Sequence, residues 1–179
     1  TPPMCPVTGN FILTNQAEVN AFVANFNACD SLIGNLTIIG GNDIVSINGL
    51  NFLRHIGGYL TVKNNYKLTH MQGFSNLQKV AGNFTIEGNP LVSSLGHLDS
   101  LQHVGGFLKI QNNNALPNLS GLQFLNHIGN NLIVRNNEIL TNCSVICILL
   151  DSAVIQGVID IASNPSACSN NEQVNAVCT

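Results

Sequence analysis

A single pentapeptide pattern returns along this chain at a fixed distance, and that regularity limits the fold more than any other feature. Gly34-Asn35-Leu36-Thr37-Ile38, Gly58-Tyr59-Leu60-Thr61-Val62, Gly82-Asn83-Phe84-Thr85-Ile86 and Gly106-Phe107-Leu108-Lys109-Ile110 succeed one another every 24 residues. Asn130-Asn131-Leu132-Ile133-Val134 keeps the spacing, and Gly157-Val158-Ile159-Asp160-Ile161 follows after three extra residues, so six coils are expected. The intervening residues repeat as well. Asparagine follows each strand pattern at 42, 65, 89, 113, 137 and 164, where a turn residue that tolerates positive φ is expected.

Apolar residues then recur in five columns: Ile44, Leu68, Val92, Leu116 and Leu140; Ile47, Met71, Leu95 and Leu119; Leu50, Phe74, Leu98, Leu122 and Ile146; Leu53, Leu77, Leu101, Leu125 and Leu149; Ile56, Val80, Val104 and Ile128. No single coil can bury them. Stacked coils build one continuous core, in which each fully buried side chain contributes about 1.5–3 kcal/mol. Within the pentapeptide, period-2 alternation turns Leu36, Leu60, Phe84, Leu108 and Leu132 inward with Ile38, Val62, Ile86, Ile110 and Val134. The strands then form a parallel sheet, and each outward position becomes a ladder with rungs about 4.8 Å apart. The expected fold is mainly β: a right-handed β-helix or leucine-rich-repeat-like solenoid of 24-residue coils with short helical caps.

A solenoid must cover its ends, because an open parallel edge and an exposed core invite association. Val19, Phe22, Val23 and Phe26 fall at helical spacing after the candidate caps Thr14 and Asn15. Near the other end, 144–151 reads as a compact apolar helix, and Ser169-x-x-Glu172 as a capping box opening a last helix through Val177. The division expected is an N-terminal helical cap at 1–31, the solenoid at 32–142 and a disulfide-tied C-terminal cap at 143–179, together one domain. Six cysteines lie only toward the ends: Cys5, Cys29, Cys143, Cys147, Cys168 and Cys178. An even count in a weakly charged chain reads as disulfides formed in an oxidising compartment, although six cysteines permit 15 connectivities. Cys5 with Cys29 would pin the first helix. Similar heights on consecutive coils favour Cys143 with Cys168 and Cys147 with Cys178. A zinc site from the last four sulfurs is the competing reading, against which stands the lack of short paired spacing.

Charged residues make up only 8% of the chain against 45% hydrophobic, and the formal charge is -3 with no basic cluster. Neither nucleic acid nor an anionic membrane surface has a footprint here, since both need concentrated Lys and Arg. No apolar run reaches the roughly 18 residues of a membrane span. Thr1-Pro2-Pro3 is unlike a signal peptide, so an exported protein is expected to have lost its signal.

Met4-Cys5-Pro6, the helix ending Asn27-Ala28-Cys29, then Leu32-Ile33-Gly34-Asn35-Leu36-Thr37-Ile38 resemble the receptor L domain of the epidermal growth factor and insulin receptor families. The L-x-x-I-G-G-x-L-x-I segment, here Leu53 to Val62 and Leu101 to Ile110, continues the likeness from Cys5 to about Leu140. The tail, Cys143-x3-Cys147 and Gly157 to Cys178, is similar instead to secreted and cell-surface L-domain repeats of microbes. The resemblance implies an extracellular or cell-surface protein that uses its strand sheet to bind a ligand.

The outward ladders are the candidate binding surface: Tyr59 and Phe107 beside Asn35, Asn83 and Asn131; Thr37, Thr61, Thr85 and Lys109 beside Ile133; Lys63, Glu87, Gln111 and Arg135 beside Ile39. Exposed aromatics flanked by hydroxyls and amides suit a protein or glycan partner. The competing reading is that aromatics and Thr simply favour strands. His55, Lys79, His103 and His127 form a further ladder, read either as a metal or acidic-ligand position or as a solvated polar one, with no carboxylate or Cys recurring beside it. Sequons at Asn35, Asn83, Asn118 and Asn142 would matter in a eukaryotic secretory pathway, and two of them fall on the candidate face.

No nucleophile with a base, carboxylate pair, phosphate loop or metal cluster emerges, so no catalytic residue, metal or cofactor is expected. Gly57-Gly58 and Gly105-Gly106 recur with the repeat and read as backbone turns. The function expected is non-catalytic recognition or adhesion outside the cell. The alternative is a structural spacer or stalk in a larger surface protein. Ice binding, suggested by the stacked threonines but broken by Lys109 and Ile133, and a surface-associated hydrolase rank below both.

Overall fold

The computed structural model describes residues 5–178. Thr1-Pro2-Pro3, Met4 of the opening likeness, and Thr179 at the end of the C-terminal cap lie outside these residues. The chain alternates between two parallel sheets of seven strands each. The first takes β1 (Val7–Thr8), β3 (Ser31–Ile33), β5 (His55–Ile56), β7 (Lys79–Val80), β9 (His103–Val104), β11 (His127–Ile128) and β13 (Val154–Ile155). The second takes β2 (Phe11–Leu13), β4 (Leu36–Ile38), β6 (Leu60–Lys63), β8 (Phe84–Glu87), β10 (Leu108–Gln111), β12 (Leu132–Arg135) and β14 (Ile159–Ala162). Because odd strands pair only with odd and even only with even, the chain circles a common core, a solenoid-like arrangement. Register follows the repeat: Leu60 stands on Phe84, Phe84 on Leu108 and Leu108 on Leu132.

All five apolar columns point into that core, and every one of their members is buried. The third sides of the circuits are short 3-10 turns at Asn48–Phe52, Gln72–Phe74 and Gly96–Leu98, stacked one on another. The fold differs from the sequence reading in three respects. It has a second sheet, whose strands of two or three residues were visible only as the column Ile56, Val80, Val104 and Ile128. It also starts one rung earlier: Gly9-Asn10-Phe11-Ile12-Leu13 places β2 against β4 inside the segment read as a helical cap, with Phe11 on Leu36.

The third difference concerns the asparagines. Asn65, Asn89, Asn113, Asn137 and Asn164 are buried, and together with the coil behind each of them they form a continuous hydrogen-bonded ladder. The Asn65 Nδ2 donates backward to the Ile38 carbonyl at 3.1 Å and forward to the Asn89 Oδ1 at 3.0 Å. The same Asn89 Oδ1 accepts the Asn65 backbone N–H at 3.1 Å. Asn89, Asn113 and Asn137 repeat the pattern on Val62, Ile86 and Ile110. Asn164 ends the ladder, donating to the carbonyls of Val134 and Cys168. Positive φ belongs instead to the residue before each rung: Asn64 (54°), Gly88 (65°), Asn112 (56°), Asn136 (53°) and Ser163 (59°). Asn42 is exposed and stands outside the ladder, whose first acceptor is filled by the Gly40 N–H donating to Asn65 Oδ1 at 2.7 Å.

The N-terminal helix, α1 (Gln16–Phe26), is capped by Asn15 and not Thr14: the Asn15 Oδ1 accepts the Glu18 N–H at 2.9 Å. Glu18 reaches back to the Thr14 N–H at 2.6 Å and to its hydroxyl at 3.0 Å, a reciprocal box that holds this carboxyl below its usual range. Val19 and Phe22 are buried, and Phe22 meets Phe11 and Phe26 edge-on or tilted at 4.9 and 5.0 Å. Cys5–Cys29 ties the far end of the helix to the start of the described chain.

At the other end α2 (Ser144–Ser152) covers the core with Val145, Ile146 and Leu149. Cys143–Cys168 and Cys147–Cys178 bind it to the last turns. The final helix, α3 (Asn171–Val177), is capped by Asn170, which accepts the Gln173 N–H at 2.9 Å; the Ser169-x-x-Glu172 box is not formed. Asn171 does something sequence reading missed. Its Oδ1 accepts the Ile161 N–H at 2.8 Å and its Nδ2 donates to the Ile159 carbonyl at 2.6 Å, so one amide side chain stands where another strand would pair with β14.

Three substitutions test these polar contacts. Asn113→Ala leaves the Asn89 N–H and the Ile86 carbonyl buried without their partners, and should lower stability by about 2–4 kcal/mol in urea unfolding. Asn42→Ala should cost less than about 0.5 kcal/mol. Asn171→Ala uncovers the β14 edge, and light scattering should show association that rises with concentration, absent from the parent protein.

Candidate functional site

The outward face of the second sheet presents three columns. Nearest the strand starts are Asn35, Tyr59, Asn83, Phe107 and Asn131, one residue before β4, β6, β8, β10 and β12. Next are Thr37, Thr61, Thr85, Lys109 and Ile133, in register on consecutive strands. Last are Lys63, Glu87, Gln111 and Arg135, likewise in register. Every residue expected at a binding site therefore lies on one face.

The first column is held by its asparagines. The Asn35 Oδ1 accepts the Tyr59 N–H at 2.8 Å, Asn83 accepts from Phe107 at 3.1 Å, and Asn131 accepts from Val158 at 2.8 Å. A Cβ on Gly58 or Gly106 would collide with those same amide oxygens, so close approach of neighbouring coils, and not a left-handed backbone, demands glycine there. Asn35 also donates through Nδ2 to the Asn10 Oδ1 at 2.8 Å. The sequon residues Asn35 and Asn83 thus brace the sheet, whereas Asn118 and Asn142 accept the N–H groups of Ser120 and Ser144 two residues on, in turns away from it. Tyr59 is 42% exposed and Phe107 is half-buried.

Charges on the face are held in ion pairs. Glu87 sits between two cations, with the Lys109 Nζ at 2.9 Å and the Lys63 Nζ at 3.4 Å. Burial pushes the Glu87 carboxyl up, but the hydrogen bond and charge of Lys109, joined by Lys63, outweigh it and hold the group below its usual range. Arg135 donates through Nε to the Asp160 Oδ1 at 2.9 Å. Asp160, Asn10 and the 63%-exposed Ile12 belong to this surface and escaped the sequence reading, although each is marked by its place in a copy of the pentapeptide.

The histidine ladder occupies the other sheet, with His55, Lys79, His103 and His127 in register. The rings of His103 and His127 stack 4.3 Å apart, their planes within 4° of parallel. His70 and His97, on another side, stack at 6.3 Å. Among the described residues no group of three or more His, Cys, Asp or Glu could hold a metal ion, and the sulfurs a zinc site would need are joined as disulfides. No helix is long and apolar enough to cross a membrane among those residues.

Burial lowers the His103 pKa, and the adjacent His127 and Lys79 lower it further. A base whose folded-state pKa is depressed binds fewer protons folded than unfolded, so stability rises with pH across its titration. The thermal midpoint should therefore fall as pH drops below about 6.5, the unfolded value for histidine. His103→Gln should flatten that part of the profile between pH 5 and 8.

The family model of the receptor L domain matches residues 28–94, which span β3 to β8 and contain Tyr59, Thr37, Thr61, Thr85, Lys63 and Glu87 of the face. No curated protein and no solved structure matches the chain. The matched stretch, which is similar to the receptor L domain, holds the pentapeptides beginning at Gly34, Gly58 and Gly82, and the sheets it builds run on in the same register beyond it.

Proposed function

We propose that this chain is a secreted or surface-displayed recognition module of the microbial branch of receptor L domains, binding a protein or a glycan through the outward face of its second sheet. In this reading it is one domain, a right-handed solenoid of 24-residue coils at 32–142 between caps at 1–31 and 143–179. Right-handedness is the near-universal sense of parallel strand crossovers. Three disulfides and the family accord with an extracellular, oxidising environment. Receptor L domains as a family bind ligands and do not catalyse reactions.

The observation that carries the reading is the exposure of Tyr59 on a sheet whose charged side chains are held in ion pairs. An aromatic ring left open beside ion-paired ladders offers apolar area at small entropic cost, with hydroxyls and amides close by to orient a partner.

The purified protein, screened against an array of glycans and surface proteins, should yield a ligand that a Tyr59→Ala, Phe107→Ala double variant of unchanged circular dichroism no longer holds. Silence across the array would favour the spacer, and a ligand retained by the variant would move the site off this face.

A further inference from the structure

The first column of the face alternates in a way that stacking alone does not require: Asn35, Tyr59, Asn83, Phe107, Asn131. Each asparagine needs only a backbone N–H on the next coil, and any residue supplies that. Yet the two aromatics fall two coils apart, before β6 and β10, which flank β8. With parallel strands about 4.8 Å apart, their backbones stand about 9.6 Å apart along the stacking direction. Asn35 and Asn83 bind the N–H groups of Tyr59 and Phe107 themselves, so the backbone that carries each ring is set before any ligand arrives.

Thr61 and Thr85 accompany the rings in the neighbouring column, on β6 and on β8 between them. Beyond these each charge has an opposite neighbour, Lys63 and Lys109 sharing Glu87 and Arg135 meeting Asp160, so that three cations and two carboxylates leave a single net charge on the face. A face so paired has little field to offer a charged partner, and its complement is an uncharged one.

We propose that this face takes an extended, uncharged β-1,4-linked glycan laid along the stacking direction, with Tyr59 and Phe107 under every second sugar. The inference rests on the strand-face reading given above. In such a chain each sugar is turned over relative to its neighbour, so one face of the ring recurs at alternate residues, close to two strand spacings. The C–H face of a sugar packs on an aromatic ring, and the hydroxyls at its rim find the threonine ladder. An α-1,4-linked chain coils and cannot keep that period.

The test titrates the intact protein with oligomers of β-1,4-linked glucose and of β-1,4-linked N-acetylglucosamine, two to six sugars long, followed by calorimetry and by NMR. An α-1,4-linked glucose hexamer serves as the control. Affinity should rise about tenfold between the disaccharide, which reaches one ring, and the tetrasaccharide, which reaches both. Tyr59→Ala and Phe107→Ala should each cancel that rise, Tyr59→Phe should keep it, and the α-linked hexamer should show none. Absence of binding by either β-linked series at millimolar concentration overturns the inference, as does binding that both alanine variants retain or that does not depend on length. Should the array find a protein ligand lost in the double variant while both series stay silent, the strand-face reading stands and the glycan does not. Should nothing on the array or in the series depend on the two rings, both fall.

Discussion

Every coil of this protein leaves backbone groups at its corner that only another coil can satisfy, and the buried asparagine ladder is the device that satisfies them. One carboxamide bonds a strand carbonyl behind it, the next amide oxygen ahead of it, and accepts the backbone N–H of the rung before. No rung is complete by itself. A buried polar group without a partner costs about 1–3 kcal/mol, so removing one coil would strand groups on both of its neighbours. The apolar columns drive stacking but are tolerant of which large aliphatic residue fills them, as the exchanges among Leu, Ile, Val, Met and Phe show. The ladder is what sets register, since an amide one residue out of place meets neither donor nor acceptor.

Register then decides what the surface can be. Because residues on consecutive coils stand directly over one another, a side chain cannot be placed on the second sheet without acquiring two fixed neighbours. Lys63 thus stands directly against Glu87, while Lys109 reaches Glu87, and Asp160 reaches Arg135, diagonally from the neighbouring column. These pairs are partly exposed, and such pairs contribute little to stability, about 0–1 kcal/mol each. Their effect is on the field of the face. A ladder of like charges would repel along its length, whereas charges each set beside an opposite one weaken the field of the surface, on which Tyr59 and Phe107 supply the aromatic area. The histidine ladder on the opposite sheet shows the contrary case: cations or potential cations stand in register from His55 to His127, and burial with mutual repulsion depresses the basicity of His103.

Much of this was legible because a repeat multiplies weak evidence. A single Leu at position 53 says little, but Leu53, Leu77, Leu101, Leu125 and Leu149 at one spacing declare an inward column, and all five are buried. The same register brought every residue nominated for the binding face onto one sheet. What escaped was whatever departs from the period or depends on hydrogen-bond direction. Gly9-Asn10-Phe11-Ile12-Leu13 has the form of the pentapeptide, but α1 inserted after it hides the kinship by making the following half-coil helical. The second sheet uses strands of two or three residues, too short to show alternation. The asparagines were visible as a column, yet sequence does not distinguish an amide that turns its own backbone from one that bonds its neighbours; the positive φ lies one residue earlier, at Asn64, Asn112 and Asn136. Asn170 and Asn171 were masked by Ser169 and Glu172, whose spacing imitates a cap.

The two ends show how the same amide chemistry that propagates the stack also stops it. At the C-terminal end the ladder runs into Asn164, which turns its last donor onto the Cys168 carbonyl, and Cys168 is itself bound to Cys143 beneath α2. On the sheet side Asn171 offers β14 a donor and an acceptor at strand spacing without offering a further strand behind them. At the N-terminal end no described residue places a matching amide over β2; Phe22 and Phe26 close over Phe11 from one side, and Ile12 is 63% exposed. An amide cap ends a sheet by satisfying its polar groups, an aromatic cap by covering its core. The asymmetry leaves the edge of the second sheet finished at β14 and only partly covered at β2, so the ladders of the candidate face have a polar terminus at one end and an apolar one at the other.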